Sequence, residues 1–355
     1  MKTYKIAAVN LGSGSTKIAY YENDNCVFIE TIKHPSGELA AFPTVWAQSN
    51  YRREAILTFL EGRGIRLEEL DAIVSMGGLT EPVLGGVYRI TPKMVQQCES
   101  DKYGTHALNL GIQFAYEAGK SGPLPLIVNS PCTDELQPLA RYSGLPELPR
   151  VSRLHTLNQK AVANLYAEEH GLVYEQLNLI VVHMGGGITA AAHRKGKMVD
   201  APNGVDGDGP FSTDRCCTVP VGALVDLCYS GQYTREQMYR RINGNGGLKA
   251  YLGESDTYLL ERRALAGDLR CREALEAMCY QVAKEIGGLA AVLSGEVDAI
   301  LITGGMANSK FLIDQVSGYV RFIAPVHVYP GEQEMQSLCL NAYRALLGEA
   351  EIQEM

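Results

Sequence analysis

Three glycine-rich turns carry the residues best suited to chemistry, and each follows an apolar run. Gly12 and Gly14 come after residues 6–11, Gly185, Gly186 and Gly187 after 179–184, and Gly304 and Gly305 after 297–303. Glycine lets backbone N–H groups approach phosphate oxygens, because no Cβ intervenes and positive φ is allowed. One such turn is a weak sign, since most glycine pairs are only tight turns. Three of them, two related by an internal repeat, point to phosphate binding. Lys17 begins the strand that returns from the first turn. Strand alternation can aim its ammonium at the same phosphate, the plain alternative being a solvated strand lysine.

Two histidines and one loop add to this set. His155 stands just before the helical pattern that starts near Asn158; a histidine there is more often a structural hydrogen-bond partner than a catalyst. His183 lies inside an apolar strand directly ahead of three glycines, where an ionisable group needs a reason. Satisfaction by backbone groups and a phosphate contact account for it equally well. The segment Asp206-Gly207-Asp208-Gly209-Pro210-Phe211-Ser212-Thr213-Asp214-Arg215 lacks the ligand spacing and terminal Glu of a calcium loop. A loop beside a nucleotide suits it better, ending in Arg215, whose permanent charge can stabilise a transferring phosphoryl group.

The elements that must position these residues repeat. Registered on the turns, Asn10 falls on His183, Gly12 on Gly185, Gly14 on Gly187 and Thr16 on Thr189. Each copy reads strand, glycine turn, strand, then a polar turn (22–25 and 194–197) with hairpin chemistry. The pattern predicts a duplicated pair of α/β domains facing each other. Residues 70–78 and 297–305 are further apolar strands ending in a Gly pair, and 125–128 is another strand. Helical spacing recurs over 158–170 and 272–293. Strands alternating with helices predict largely parallel sheets covered by helices. The first domain is expected over 1–150, ending where 144–149 breaks the periodicity, and the second over 151–334, with 335–355 packing back on the first. The turns open into strands rather than helices, which disfavours a dinucleotide-binding Rossmann unit, and there is no Walker A sequence.

The 355 residues suit two domains, and 46% hydrophobic with 20% charged residues is globular composition. A formal net charge of -8 argues against a nucleic-acid binder. Nine cysteines without a C-x-x-C pair read as free thiols in a reducing compartment. With no signal-peptide core after Met1 and no membrane-spanning run, a cytoplasmic location is expected.

At these residues the chain resembles the butyrate kinases, within the acetate kinase group of the actin-like ATPases, almost end to end. The resemblance rests on His155-x-x-Asn158-Gln159-Lys160-Ala161-Val162-Ala163, His183-x-Gly185-Gly186-Gly187-Ile188, Ala192-His193-Arg194-Lys195-Gly196, Asp206-Gly207-x-Gly209-Pro210-Phe211-Ser212, Gly246-Gly247-Leu248-x-Ala250-Tyr251-Leu252-Gly253 and Tyr329-Pro330-Gly331-Glu332. It implies an α/β fold of duplicated actin-like ATPase (ribonuclease H-like) domains flanking a nucleotide cleft. It also implies transfer of the ATP γ-phosphoryl group to a short-chain fatty acid, giving an acyl phosphate and ADP, with Mg2+ as cofactor. The acceptor carboxylate is already anionic, so alignment and charge neutralisation carry the reaction rather than a general base.

By the same resemblance Asn10, Gly12, Ser13, Ser15 and Lys17 belong to the phosphate and metal region. His155, His183 and Arg215 contact the transferring phosphoryl group, and Gly185, Gly186 and Gly187 hold ATP phosphates with Asp206 in the adjoining loop. Gly304 and Gly305 border the adenosine, and Glu334, with Glu332 close by, anchors Mg2+ through water. Homodimers or larger assemblies are also implied. Four departures stand out. Leu11 and Gly14 replace a Pro and a Thr, and Met76 stands where the family has an Arg. Cys216-Cys217 replaces Ser-Gly after Arg215. Asn129 replaces a catalytic Asp, keeping shape and an acceptor but not the charge. Beside an active short-chain acid kinase, two readings therefore stay open: a weakened nucleotide-binding relative with a regulatory role, and a kinase for another carboxylate.

Overall fold

Turns of two to four residues leave no room for a crossover, so the strands they join must run antiparallel. The strand–turn–strand repeat folds accordingly in the computed structural model, which describes residues 2–355. In chain order the strands are β1 (Lys5–Leu11), β2 (Ser15–Glu22), β3 (Asn25–Lys33), β4 (Ala72–Ser75), β5 (Val87–Arg89), β6 (Leu124–Val128), β7 (Asn178–Met184), β8 (Ile188–Arg194), β9 (Lys197–Asp200), β10 (Ala299–Gly304), β11 (Val326–Pro330) and β12 (Ile352–Gln353). One sheet has seven strands in the order β12-β5-β6-β4-β1-β2-β3, the other five in the order β11-β10-β7-β8-β9. Without β5 and β12 the first reads β6-β4-β1-β2-β3, the same order as the second.

The pairings match as well. β1/β2 and β2/β3 are antiparallel while β1/β4 and β4/β6 are parallel. In the other sheet β7/β8 and β8/β9 are antiparallel, and β7/β10 and β10/β11 parallel. The expected largely parallel sheets are thus mixed ones, because each copy opens with a three-stranded meander joined by short turns. The fold is nonetheless the duplicated α/β one.

The first sheet belongs to a unit built from the chain up to Asp134 together with Gln333–Met355, the second to Glu135–Glu332. The division therefore falls earlier than the expected position near 150. Residues 135–150 are tied into the second unit by specific bonds. Glu135 pairs with Lys160 at 2.8 Å, the Gln137 amide donates to the Val199 carbonyl, and Arg150 bridges Asp200 and Asp208. The returning helix Glu334–Leu346 packs on β1, β2 and β4 of the first unit.

Helices cover both faces of β7, and all seven of its residues are buried, which is why it reads as a continuous apolar run. On one face Ile180, Val182, Ile188, Ile300 and Ile302 pack against Leu275, Met278, Val282 and Ile286 of the helix Leu269–Val292, whose N-cap Asp268 accepts from the Cys271 amide. On the other face Leu179, Val181 and Leu301 meet Val162, Ala163 and Tyr166 of the helix Thr156–Glu169. In the first unit Val9, Ile18 and Ile73 pack with Ile56, Leu60, Leu110 and Ile112. All nine cysteines are unbridged, and among the described residues no helix is long and apolar enough to cross a membrane.

The repeat has one irregularity. Leu11 pairs with Thr16 across the first turn, whereas Met184 pairs with Ile188 across the second. The first turn is one residue longer, so the return strand is shifted. Lys17, opposite Asn10, occupies the cross-strand place that Thr189 holds opposite His183, and Thr16 does not correspond to Thr189 in space.

Candidate functional site

In the second unit the carboxyl ends of β7, β10 and β11 bring several predicted residues together, as expected of ligand sites in open α/β sheets. His183, near the end of β7, is 1% exposed. Its Nδ1 lies 2.9 Å from Asn158 Nδ2, which also donates to Thr303 Oγ1 on β10. His155 caps the helix Thr156–Glu169 and stacks on His183, with ring centroids 3.9 Å apart and planes at 13°. Its Nδ1 lies 3.0 Å from Thr189 Oγ1 on β8. Burial disfavours the charged form of both rings. Burial first, then the neighbouring His183 and Arg215, push His155 well below its ordinary range. Burial pushes His183 down to about 4, with Glu332 opposing and Arg215 assisting.

The glycine turn lies against these rings and against Arg215. A Cβ on Gly185 would stand 2.7 Å from His183 Nε2, and one on Gly187 would run into the Arg215 guanidinium. Ser212 and Thr213 hydroxyls both donate to the Gly186 carbonyl at 2.9 Å, which fixes the turn to the loop carrying Arg215. Arg215 itself donates through one terminal nitrogen to the Gly204 carbonyl at 2.8 Å, while its Nε is buried with no partner among the described residues. Gly304 takes φ +94, and a Cβ there would strike the Met184 backbone, so β10 can approach β7 this closely only with glycine. Gly305 is exposed at the start of a short 3₁₀ turn. Asp206 is exposed, its carboxylate accepting from Asn203 at 2.8 Å; no bond joins it to the histidines or the glycine turn, though it lies two residues from the carbonyl that anchors Arg215.

In the first unit the equivalent strand ends carry the other predicted residues. Asn10 donates its amide to the Glu334 carboxylate at 3.4 Å, and Glu334 is 6% exposed. Lys17 pairs across from Asn10, and directly opposed residues of an antiparallel pair share a face. Ser13 lies in the turn and Ser15 opens β2. Two of the departures meet at the ends of β4 and β6. Met76 follows β4, Gly77 has φ +103 with Ser130 2.8 Å from where its Cβ would be, and Asn129 follows β6 at φ 42. Asn129 Oδ1 accepts from the Gly86 amide at 2.9 Å, so its acceptor is engaged structurally. In the second unit Cys216 lines a cavity of about 550 Å³ with Phe211, Met238 and Tyr251, while Cys217 is buried at φ 48.

Arg52 is a residue that sequence reading missed. It is 1% exposed and donates to the carbonyls of Ser13 at 2.8 Å and Ser15 at 3.3 Å, clamping the first glycine turn. Nothing in the helix Ser49–Glu61 signals this. Thr189, Thr303 and the pair Asn158 and Gln159 in the first turn of the helix Thr156–Glu169 also hold the histidines; all four lie in stretches the sequence singles out, but nothing in those stretches signals this role. Among the described residues no three or more His, Cys, Asp or Glu gather as a metal cage.

The acetate kinase of Porphyromonas gingivalis superposes with a TM-score of 0.77 at 19% identity, covering 97% of this chain and 100% of that one. A propionate kinase from Francisella tularensis superposes at 0.74 and 16%, covering 95% and 98%. At those identities the likeness is one of fold, the duplicated actin-like ATPase fold. Residues 150–324 match the acetokinase family. A "Probable butyrate kinase" of Clostridium botulinum is 46% identical over 348 residues, 98% of each chain. Butyrate kinase 2 of Clostridium acetobutylicum is 43% identical over 349 residues, again 98% of each. The chain belongs to the acetokinase family, on its butyrate kinase branch.

Proposed function

We propose that the chain transfers the γ-phosphoryl group of ATP to the carboxylate of a short-chain fatty acid, giving an acyl phosphate and ADP. The observation that carries this reading is the stack of His155 on His183 beside a glycine turn against which Arg215 is packed. The acid arrives ionised, so the site needs no base; it needs donors and positive charge where phosphoryl oxygens gather negative charge. Arg215 supplies the charge, with a buried Nε–H that has no acceptor among the described residues. His155 and His183 supply uncharged N–H donors, and the 185–187 turn supplies backbone amides for ATP phosphates. Gly304 and Gly305 line the adenosine, with Asp206 in the loop that anchors Arg215.

In the first unit Lys17 and the 12–15 turn take phosphate oxygens. The Glu334 carboxylate with Asn10 beside it fits Mg2+, an ion that keeps waters and takes further ligands from substrate phosphates. When bound, Mg2+ neutralises charge on those phosphates. Asn129, with its oxygen committed to Gly86, holds the turn after β6 where a carboxylate would add charge. We place the reaction in the cytoplasm and the enzyme in a homodimer or larger homo-oligomer.

Hydroxylamine trapping of acyl phosphate with ATP, Mg2+ and a panel of short-chain acids tests the reading on wild type and Asn129→Asp. Acid-dependent hydroxamate is expected from both, at rates within about tenfold of each other. Product from Asn129→Asp alone would make the natural chain a nucleotide-binding relative that has lost its chemistry. Gly187→Ala is a finer probe. Gly187 is outside the positive-φ set, so alanine strains no backbone there, but its methyl displaces the Arg215 guanidinium. The rate is expected to fall about a hundredfold with circular dichroism unchanged; an unaltered rate would remove Arg215 from the reacting group.

A further inference from the structure

Hydrogen-bond direction around the two stacked histidines is decided by groups that have only one role. Gln159 Nε2 lies 3.2 Å from the Thr189 backbone carbonyl. A carbonyl only accepts, so that atom is the amide nitrogen and its other side-chain atom the oxygen. This oxygen lies 3.1 Å from His193 Nε2, which must therefore carry a proton, leaving Nδ1 to accept from Tyr174 at 2.7 Å. The same Gln159 nitrogen donates to Thr189 Oγ1 at 3.0 Å, and the His155 backbone amide approaches that oxygen at 3.5 Å. Thr189 is fully buried, so its own hydroxyl proton has one remaining destination, His155 Nδ1 at 3.0 Å.

The second ring is settled in the same way. Thr303 Oγ1 spends its proton on the Gly331 carbonyl at 3.0 Å, so the Asn158 atom facing it is a donor. That donor also faces His183 Nδ1, which is therefore an acceptor. The Nε2 edge of His183 is the one turned to Gly185.

We propose that the Tyr174–His193–Gln159–Thr189 relay and the Asn158–Thr303 pair fix His155 and His183 as two uncharged imidazoles protonated on Nε2. Thr189, Gln159 and Asn158 are then positioning residues for phosphoryl transfer. The functional half of this proposal rests on the kinase reading above; the tautomers do not. Burial pushes His193 down to about 3, in keeping with a neutral relay. The device gives the site two N–H donors whose direction does not depend on a histidine's charge. Two imidazoles stacked in contact favour this, since a second proton on each would set like charges face to face.

The test is a two-bond proton–nitrogen correlation spectrum of the full-length chain labelled with [15N]histidine, at neutral pH. Signals are assigned through the variants His155→Gln, His183→Gln and His193→Gln. All three rings are expected in the neutral Nε2–H pattern. An Nδ1–H pattern or an imidazolium for either stacked ring overturns the proposal, whatever the enzyme assay gives. Thr189→Val keeps the β-branched shape but removes the hydroxyl. It is expected to let His155 populate both tautomers and to lower kcat roughly tenfold, with KM for ATP little changed. Thr189→Ser is expected to restore both readouts. A single unchanged tautomer in Thr189→Val overturns the relay, while absence of kinase activity in wild type with the expected spectrum removes only the functional half.

Discussion

Arg215→Ala is expected to slow acyl phosphate formation about a thousandfold while the protein stays folded. The side chain has the freedom to serve a substrate because the fold asks little of it. Among the described residues its side chain has one protein bond, to the Gly204 carbonyl, worth about 2 kcal/mol, and its Nε has no acceptor. A buried guanidinium donor in that state is costly unless a ligand completes it. Arg215→Lys should fail nearly as badly, because an ammonium cannot both hold Gly204 and present a planar face over Gly187. Hydroxamate rates read the effect, with circular dichroism and thermal melting as the control for folding. Loss of only a few-fold in Arg215→Ala would assign the guanidinium to loop structure and leave charge neutralisation to Lys17 and Mg2+.

Legibility followed the range of the forces involved. The glycine turns, the strands leading into them and the duplication are local patterns, and they appear where expected, as β1/β2 and β7/β8 and their matching sheets. The helices beginning near Asn158 and Arg272 were also visible, the second because burial on one face imposes its spacing. What remained hidden depends on contacts between distant segments. The one-residue shift that puts Lys17 in Thr189's place arises from turn geometry, which a fixed-offset alignment cannot register. Arg52 reaches the first turn from a helix some forty residues on, and an arginine on a helix ordinarily reads as solvated. The boundary near 150 was drawn from loss of periodicity, whereas Glu135, Gln137 and Arg150 are held by long-range bonds to Lys160, Val199, Asp200 and Asp208 that leave no periodic trace. His193 lay in a block of family likeness with no reason attached; only the fold shows it gripped between Tyr174 and Gln159.

The same buried imidazoles make acid the protein's weak side. Stability is expected to fall steadily as the pH drops from about 6.5 toward about 4. His183 and His193 keep folded values of about 4 and about 3, and His155 lies well below its ordinary value. Unfolded, each titrates near 6.5. Between those limits the unfolded chain binds protons that the folded one refuses, so each group costs about 1.4 kcal/mol per pH unit. His34 and His106, also lowered by burial, act in the same direction. Glu285 opposes them: burial raises it to about 7, so from about 7 down to its ordinary 4.5 the folded state holds the extra proton and gains stability on acidification. The three second-unit histidines less Glu285 leave a slope of about 3 kcal/mol per pH unit, steep against a typical total of 5–15 kcal/mol. Urea unfolding at a series of pH values reads the slope directly. In His193→Gln, where the amide can bond both Tyr174 and Gln159 without ionising, the slope should be shallower by about 1.4 kcal/mol per unit. An identical slope in wild type and His193→Gln would mean that this imidazole is already protonated in the folded protein, and with it the account of the relay as a neutral, proton-ordered chain would fall.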